Sequence, residues 1–287
     1  MNDIIQNFTH RQTMATPNYE YFHYKDTSSL KVKYHNHDFY EILFFISGKV
    51  IYAIEGFNYR LEPGDILLIN NNDLHQPVVD SDTPYERAIF WIKRDYLENV
   101  GQSDTNLLLC FDTVKKEKNH LLRPNPEYAL KIKEIRDKFE NSCNSISYGN
   151  VTLRTIYLTE LLITVNKAYI DCYGEKIDID KIKYNPDINR IIEYINFNIS
   201  GNLSLDMLSD KFFISKYHME REFKKYTGLT IHKYITQKRL ILSKEYLQKG
   251  FSVIETYQKC GFNDYSNFIR TFKNEYGIPP KKFFKKI

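Results

Sequence analysis

Residues 251–280 read FSVIETYQKCGFNDYSNFIRTFKNEYGIPP, and residues 203–230 read LSLDMLSDKFFISKYHMEREFKKYTGLT. Laid over each other, they are one device written twice. Ser204 and Ser252 each stand where a helix needs an N-cap, because a serine hydroxyl accepts from the unpaired N–H groups of a first turn. A tight turn follows, FIS at 213–215 and GFND at 261–264, and Ser215 or Asp264 caps a second helix. Both second helices carry Arg-x-Phe-Lys, at 221–224 and 270–273, and both stop near a glycine, Gly228 and Gly277. Matched positions lie 48 apart in the first helices and 49 apart in the second, so the second turn is one residue longer. This pattern predicts two helix-turn-helix units in tandem. Between them, Ile231, Tyr234, Ile235, Leu242 and Tyr246 recur at helical spacing, which predicts a connecting helix over 231–249.

The second helix of each unit divides into faces. Met219 and Phe223 are assigned to the core, leaving Tyr217, Glu220, Arg221 and Lys224 on another face at i, i+3, i+4, i+7. Phe268 and Phe272 form the second core pair, with Ser266 and Arg270 outward and Tyr265 and Asn267 at the edges. Charge follows the same division. Residues 190–287 carry 18 Lys+Arg against 9 Asp+Glu, whereas residues 1–189 carry 22 against 27. A basic back half with a polar helix face after each turn suits double-stranded DNA. Arginine can donate two hydrogen bonds to guanine, so Arg221 and Arg270 are the base-contact candidates, while Lys216, Lys224, Lys225 and Lys273 suit phosphates. The plainer alternative is a helical bundle with solvated charges, and two basic units in register argue against it.

On "LSLDMLSDKFFISKYHMEREFKKYTGLTIHKYITQKRL" (203–240) and "GFNDYSNFIRTFKNEYGIPPKKFF" (261–284) the chain resembles the AraC/XylS-type transcriptional regulators. The GF-x-D-x-S-x-F-x-R-x-FK pattern carries the resemblance, which covers residues 188–284. It implies two recognition helices docking in successive major grooves on one face of the DNA. Thr256 and Tyr257 depart from the pattern, standing where the family usually has an aliphatic residue and an alanine that lets two helices approach. Ser209 is small, as the equivalent place in the first unit requires.

The front half has a different texture. From Tyr19 to Trp91, short β-branched or aromatic runs (YEILFFI, KVIYAI, DILLIN, RAIFWI) alternate with turn residues, which predicts a small barrel or sandwich. HNHDFYEILFFISG at 35–48 would, as a strand, point His35, His37 and Glu41 the same way. That stretch resembles the first cupin motif, and EPGDILLINNNDLHQP at 62–77 resembles the second, with His75 as its histidine, eleven residues after Gly64. Regulators of this family often carry such a barrel as an effector domain. Three readings stand: His35, His37, Glu41 and His75 line an effector pocket walled by Tyr52, Phe90 and Trp91; they are structural; or they hold a metal. The pocket is the reading adopted, with no metal and no cofactor assigned.

Segment 126–141 opens with Pro-x-Glu and is predicted helical. Segment 150–169 places Leu153, Ile156, Tyr157, Leu161 and Val165 on one stripe, read as a core face before a dimer seam. The expected class is therefore α+β: a cupin-like β-barrel plus helices in an effector-binding and dimerisation domain over 1–170 (barrel about 19–95, helices about 126–169). A linker at 171–187 and an all-α DNA-binding domain at 188–287 complete the reading. Four scattered cysteines without a CxxC pair read as free thiols. No apolar run of membrane-spanning length exists, and MNDIIQNFTHRQ lacks a signal-peptide core, so a cytoplasmic protein without a membrane partner is expected. The expected function is sequence-specific transcriptional regulation, with activation favoured, by a homodimer answering a small molecule such as a sugar and contacting RNA polymerase if it activates. The alternative is a metal-dependent cupin enzyme with a helical appendage. No serine–histidine–acid set, phosphate-cradling glycine loop or HExxH motif supports another enzyme.

Overall fold

The strand-like runs of the front half pair into two sheets, built from β1 (Ile5–Gln6), β2 (Tyr19–Asp26), β3 (Tyr40–Ser47), β4 (Val50–Ile54), β5 (Phe57–Arg60), β6 (Ile66–Ile69), β7 (His75–Val79), β8 (Tyr85–Ile92), β9 (Leu121–Leu122) and β10 (Ile182–Lys183). The computed structural model describes residues 5–6, 13–26, 32–80, 83–101, 105–144, 147–174, 182–183 and 186–284. The chain divides into two compact units, Met1–Lys183 and Tyr184–Ile287.

In the first unit one sheet has the order β1-β2-β8-β3-β6-β9 and the other β10-β5-β4-β7. The central strands are apolar on both faces because both faces are covered. Ile42, Phe44, Ile66, Leu68, Ala88 and Phe90 point outward beneath four helices, α1 (Arg94–Val100), α2 (Leu109–Glu117), α3 (Pro126–Cys143) and α4 (Asn150–Gly174). Their neighbours Leu43, Phe45, Leu67, Ile69, Ile89 and Trp91 point inward and fill the space between the sheets. Period-2 alternation thus feeds two cores from one sheet. Pro126 opens α3 behind an Asn125 cap whose side chain accepts from the Tyr128 N–H at 2.9 Å. His23 of β2 joins sheet to helix, lying 2.8 Å from Glu140 on α3 and 3.1 Å from Glu86 on β8.

Three expectations are corrected. Phe90 is no wall of the interior: it precedes Trp91 on the same strand, so it faces outward and packs on Phe139, centroids 4.8 Å apart. The α4 stripe is core only in its later part. Leu161 and Val165 are buried with Leu158, Leu162 and Ala168, whereas Leu153 and Ile156 are exposed and Tyr157 is half-buried. The 171–187 stretch is not wholly a connector, since α4 runs through Gly174 and Ile182–Lys183 pairs antiparallel with β5. Residues 175–181 and 184–185 of it lie outside the described residues.

The second unit is helical: α5 (Pro186–Phe197), α6 (Leu205–Phe212), α7 (Lys216–Thr227), α8 (Ile231–Gln248), α9 (Val253–Lys259), α10 (Tyr265–Tyr276) and α11 (Pro280–Phe284). Ser204, Ser215, Ser252 and Asp264 all cap as the sequence requires, and Ser252 closes a capping box with Glu255. Met219, Phe223, Phe268 and Phe272 are fully buried. Helix α8 enters both cores: Tyr234 lies edge-on to Phe223 at 5.5 Å, and Leu240 and Leu247 pack with Phe268 and Phe272.

The departures at 256 and 257 are accommodated differently. Tyr257 is half-buried and meets Tyr265 and Phe268 at 5.4 and 6.4 Å. Thr256 occupies the buried place that Leu208 has in the first unit, and its hydroxyl has no hydrogen-bond partner among the described residues. A buried hydroxyl without a partner is destabilising, so Thr256→Val is expected to stabilise the helical unit by about 1 kcal/mol. Urea unfolding of the full chain followed by circular dichroism checks this; an unchanged or lower midpoint would mean the hydroxyl is satisfied.

Candidate nucleic-acid interface and barrel site

Helices α7 and α10 present their polar faces outward. On α7, Lys216, Tyr217, Arg221, Lys224 and Lys225 are exposed and Glu220 is half-buried. On α10, Tyr265, Ser266, Asn267, Arg270 and Lys273 are all exposed. Both arginines are held along their helices. Arg221 donates to His218 Nδ1 at 3.2 Å and lies 3.3 Å from Glu222, while Arg270 donates to Asn267 Oδ1 at 3.1 Å. Lys216 pairs with Asp206 of the preceding helix, and Lys225 lies 3.6 Å from Glu222. His218, three residues before Arg221, belongs to this face and was missed; its i−3 spacing was the available signal.

The turns that aim these helices differ. The first passes through Phe213 at φ +57°, left-handed, with its side chain 95% exposed. The second passes through Gly261 at φ +77°, where a Cβ would lie 2.6 Å from the Ser200 carbonyl oxygen. Arg239 of α8 pins that neighbouring loop by donating to the carbonyls of Ile199 at 2.9 Å and Gly201 at 2.7 Å.

In the barrel, four of the five expected residues converge on one buried point. Glu41 on β3 lies directly opposite Trp91 on β8, and the indole Nε1–H donates to Glu41 Oε2 at 2.8 Å. His37 Nε2 lies 3.3 Å from the same oxygen, and donor atoms of His37, Glu41 and His75 lie within 4.8 Å of one another. His35 is half-buried beside them, its ring 4.1 Å from that of His75, and the two residues exchange backbone hydrogen bonds of 3.0 and 3.1 Å as an isolated bridge. The stretch before Tyr40 is not a continuous strand, so simple alternation does not set the histidines' directions. Phe39, which the sequence reading passed over, stacks on His37 at 3.9 Å and meets Trp91 at 4.6 Å.

The histidines' tautomers follow from their neighbours. His37 Nδ1 lies 2.8 Å from the Phe39 carbonyl, His75 Nδ1 2.8 Å from the Asp73 carbonyl, and His35 Nδ1 2.9 Å from the Lys33 carbonyl. A carbonyl only accepts, so Nδ1 carries the proton in each. Burial, with His35 and His37 beside it, holds the His75 imidazole well below its ordinary pKa, hence neutral. Tyr52, on β4, is buried 6.1 Å ring to ring from His75, and burial with the Glu41 carboxylate nearby raises its phenol well above the usual range. His37, Glu41 and His75 are the residues that could hold a metal; the same atoms could accept from a ligand's hydroxyls.

Comparison with known proteins agrees with both halves. The family profile described as an AraC-like ligand binding domain matches residues 17–104, and one described as a helix-turn-helix domain matches residues 208–286. The HTH-type transcriptional activator RhaS of Citrobacter koseri is 23% identical over 248 residues, covering 86% of this chain and 85% of that one. Among solved structures, a transcriptional regulator with an AraC-type DNA-binding domain from Chromobacterium violaceum is 27% identical, covering 35% of this chain and 91% of that one with a TM-score of 0.33. ToxT of Vibrio cholerae is 14% identical, covering 94% and 99%, with a TM-score of 0.36. Among the described residues no helix is long and apolar enough to cross a membrane. With an AraC-like ligand-binding domain ahead of two capped, basic helix-turn-helix units, this chain is a DNA-binding transcriptional regulator and belongs to the AraC/XylS family.

Proposed function

We propose that the chain is a cytoplasmic transcriptional activator whose barrel binds a small-molecule effector at His35, His37, Glu41, His75 and Trp91. Its two recognition helices read DNA through Arg221 and Arg270, with Lys216, Lys224, Lys225 and Lys273 on phosphates and Tyr217, Glu220, Tyr265, Ser266 and Asn267 around them. The observation that carries this is the pair of exposed polar faces on α7 and α10, each starting at a side-chain cap and each carrying an outward arginine. Activation rests on relatives such as the transcriptional activator of Citrobacter koseri, and implies contact with RNA polymerase. A carbohydrate is the effector class the family resemblance points to, because its hydroxyls donate to the acceptors of the barrel. Assembly as a homodimer is supported by the exposed apolar residues Leu130, Val151 and Ile156 on α3 and α4. A metal-dependent cupin enzyme has one observation behind it, the histidine–glutamate cluster; the tandem units and the regulator relatives favour the regulator.

The test is to incubate purified protein with sheared genomic DNA at about 0.15 M salt, where phosphate contacts alone no longer dominate, and to sequence what is retained. A few sharp peaks sharing a motif of about two helical turns are expected, and residues 184–287 alone should retain the same peaks. A flat profile from both the full chain, with and without candidate sugars, and the fragment would defeat the reading.

A further inference from the structure

We propose that His37, His75 and Glu41 form a binding site for one divalent transition-metal ion inside the barrel. The inference concerns the effector site and rests on the reading of that barrel as the sensing unit. Three observations converge. First, the tautomers are set: with Nδ1–H of His37 and His75 each donated to a backbone carbonyl, both Nε2 atoms carry bare lone pairs. A second partner that fixes the ring in this way is the usual support of a metal-ligating histidine. Second, both Nε2 atoms are fully buried and have no hydrogen-bond partner among the described residues. His37 Nε2 is close to Glu41, but the pair is not aligned for a hydrogen bond. Third, the Glu41 carboxylate is held at the same point: its Oε2 accepts from the Trp91 N–H at 2.8 Å and lies 3.3 Å from His37 Nε2, and a carboxylate oxygen has a further lone pair to offer.

Three acceptors therefore converge where burial makes an unpaired acceptor costly. A cation satisfies all of them at once. The scale is close to an ion's: donors bound at about 2.0–2.2 Å from one metal stand about 3–4 Å apart, and here all three lie within 4.8 Å of one another, so a small inward movement of the side chains closes the site. Rings wall the site, with Phe39 against His37 and Tyr52 against His75. Two imidazoles with one carboxylate select a first-row transition ion over calcium or magnesium, and three protein ligands leave coordination positions to which an effector's oxygens can bind.

The chain contains a single tryptophan, so Trp91 reports on this site without interference. The experiment titrates chelator-treated full-length protein with cobalt(II), following Trp91 fluorescence and the visible cobalt bands, with stoichiometry from equilibrium dialysis. One ion per chain is expected, with quenching of Trp91 and displacement by zinc. His75→Ala should weaken binding by about 100-fold or more, the loss of a ligand exceeding that of an outer partner. Glu41→Gln keeps the side chain's volume and its acceptor for Trp91, so it tests the site if the histidine variant misfolds; at least a tenfold loss is expected. His232→Ala, on an exposed face of α8 far along the chain, should leave cobalt binding unchanged. No stoichiometric uptake, or uptake with unaltered affinity in folded Glu41→Gln or His75→Ala, would overturn the proposal. Protein that selects genomic DNA but takes up no cobalt loses only the metal site; protein that takes up cobalt but selects no DNA loses the regulator reading.

Discussion

Replacing Arg221 and Arg270 together by alanine should weaken binding to the operator by about 2–6 kcal/mol, with a much smaller effect on random DNA. Each arginine sits on the outward face of the second helix of its unit, and a bidentate contact from arginine to guanine is worth about 1–3 kcal/mol. The two belong to separate helix-turn-helix units, so their losses should add. The guanidinium groups begin engaged with His218, Glu222 and Asn267, yet such exposed surface contacts contribute only about 0–1 kcal/mol and exchange readily for DNA. Fluorescence anisotropy on operator and scrambled duplexes at one fixed salt concentration measures the difference. Equal losses on both duplexes would move the arginines from bases to phosphates.

Gly261→Ala is expected to destabilise the helical unit by about 3 kcal/mol or more, enough to misplace α10. Two penalties combine. An alanine at φ +77° is strained by about 1–2 kcal/mol, and its methyl would overlap backbone atoms of Ser200, the nearest at 2.6 Å. The loop at 199–201 cannot retreat cheaply, since Arg239 holds it on both sides of Ser200. Gly277 is the internal control: it has φ +74°, but nothing lies within 4 Å of its would-be Cβ, so Gly277→Ala should lose only the backbone strain, about 1–2 kcal/mol. The first unit shows why the second needs glycine. Phe213 takes the same left-handed turn because its side chain has open solvent to enter. Denaturant midpoints of the two alanine variants decide the matter; equal shifts would mean the Ser200 loop yields.

What the sequence made legible was what local chemistry determines. Caps, turns and the buried phenylalanine pairs of α7 and α10 are functions of near neighbours, and they stand where the repeat puts them. The strands of the barrel were legible as short apolar runs, but their faces were not. In a strand covered on both sides, Phe90 and Trp91 are equally apolar, and only the register Glu41 to Trp91 tells which one looks inward. The outer end of the α4 stripe failed for a related reason: periodicity identifies an apolar face but not where the neighbouring layer ends. The pairing of Ile182–Lys183 with β5 is a long-range contact of two residues, too short for any sequence pattern. At the site, the residue types were readable from spacing. The tautomers were not, since they depend on backbone carbonyls that the loops at 33–39 and 73–75 bring into place.

Helix α8 has one more consequence, and it falls on the DNA. It is a single 18-residue rod, about 27 Å long at 1.5 Å per residue, and its side chains belong to the cores of both units. A helix cannot lengthen by the rise of one base pair without breaking its own hydrogen-bond ladder. An extra base pair between the two halves of an operator shifts the second half by about 3.4 Å and turns it by about 35°, and the duplex alone must absorb the turn through twist and the shift through bending. Five extra base pairs carry it round to the far side. The spacer between the contacted halves is therefore measured in length and helical phase, although no side chain need touch its bases.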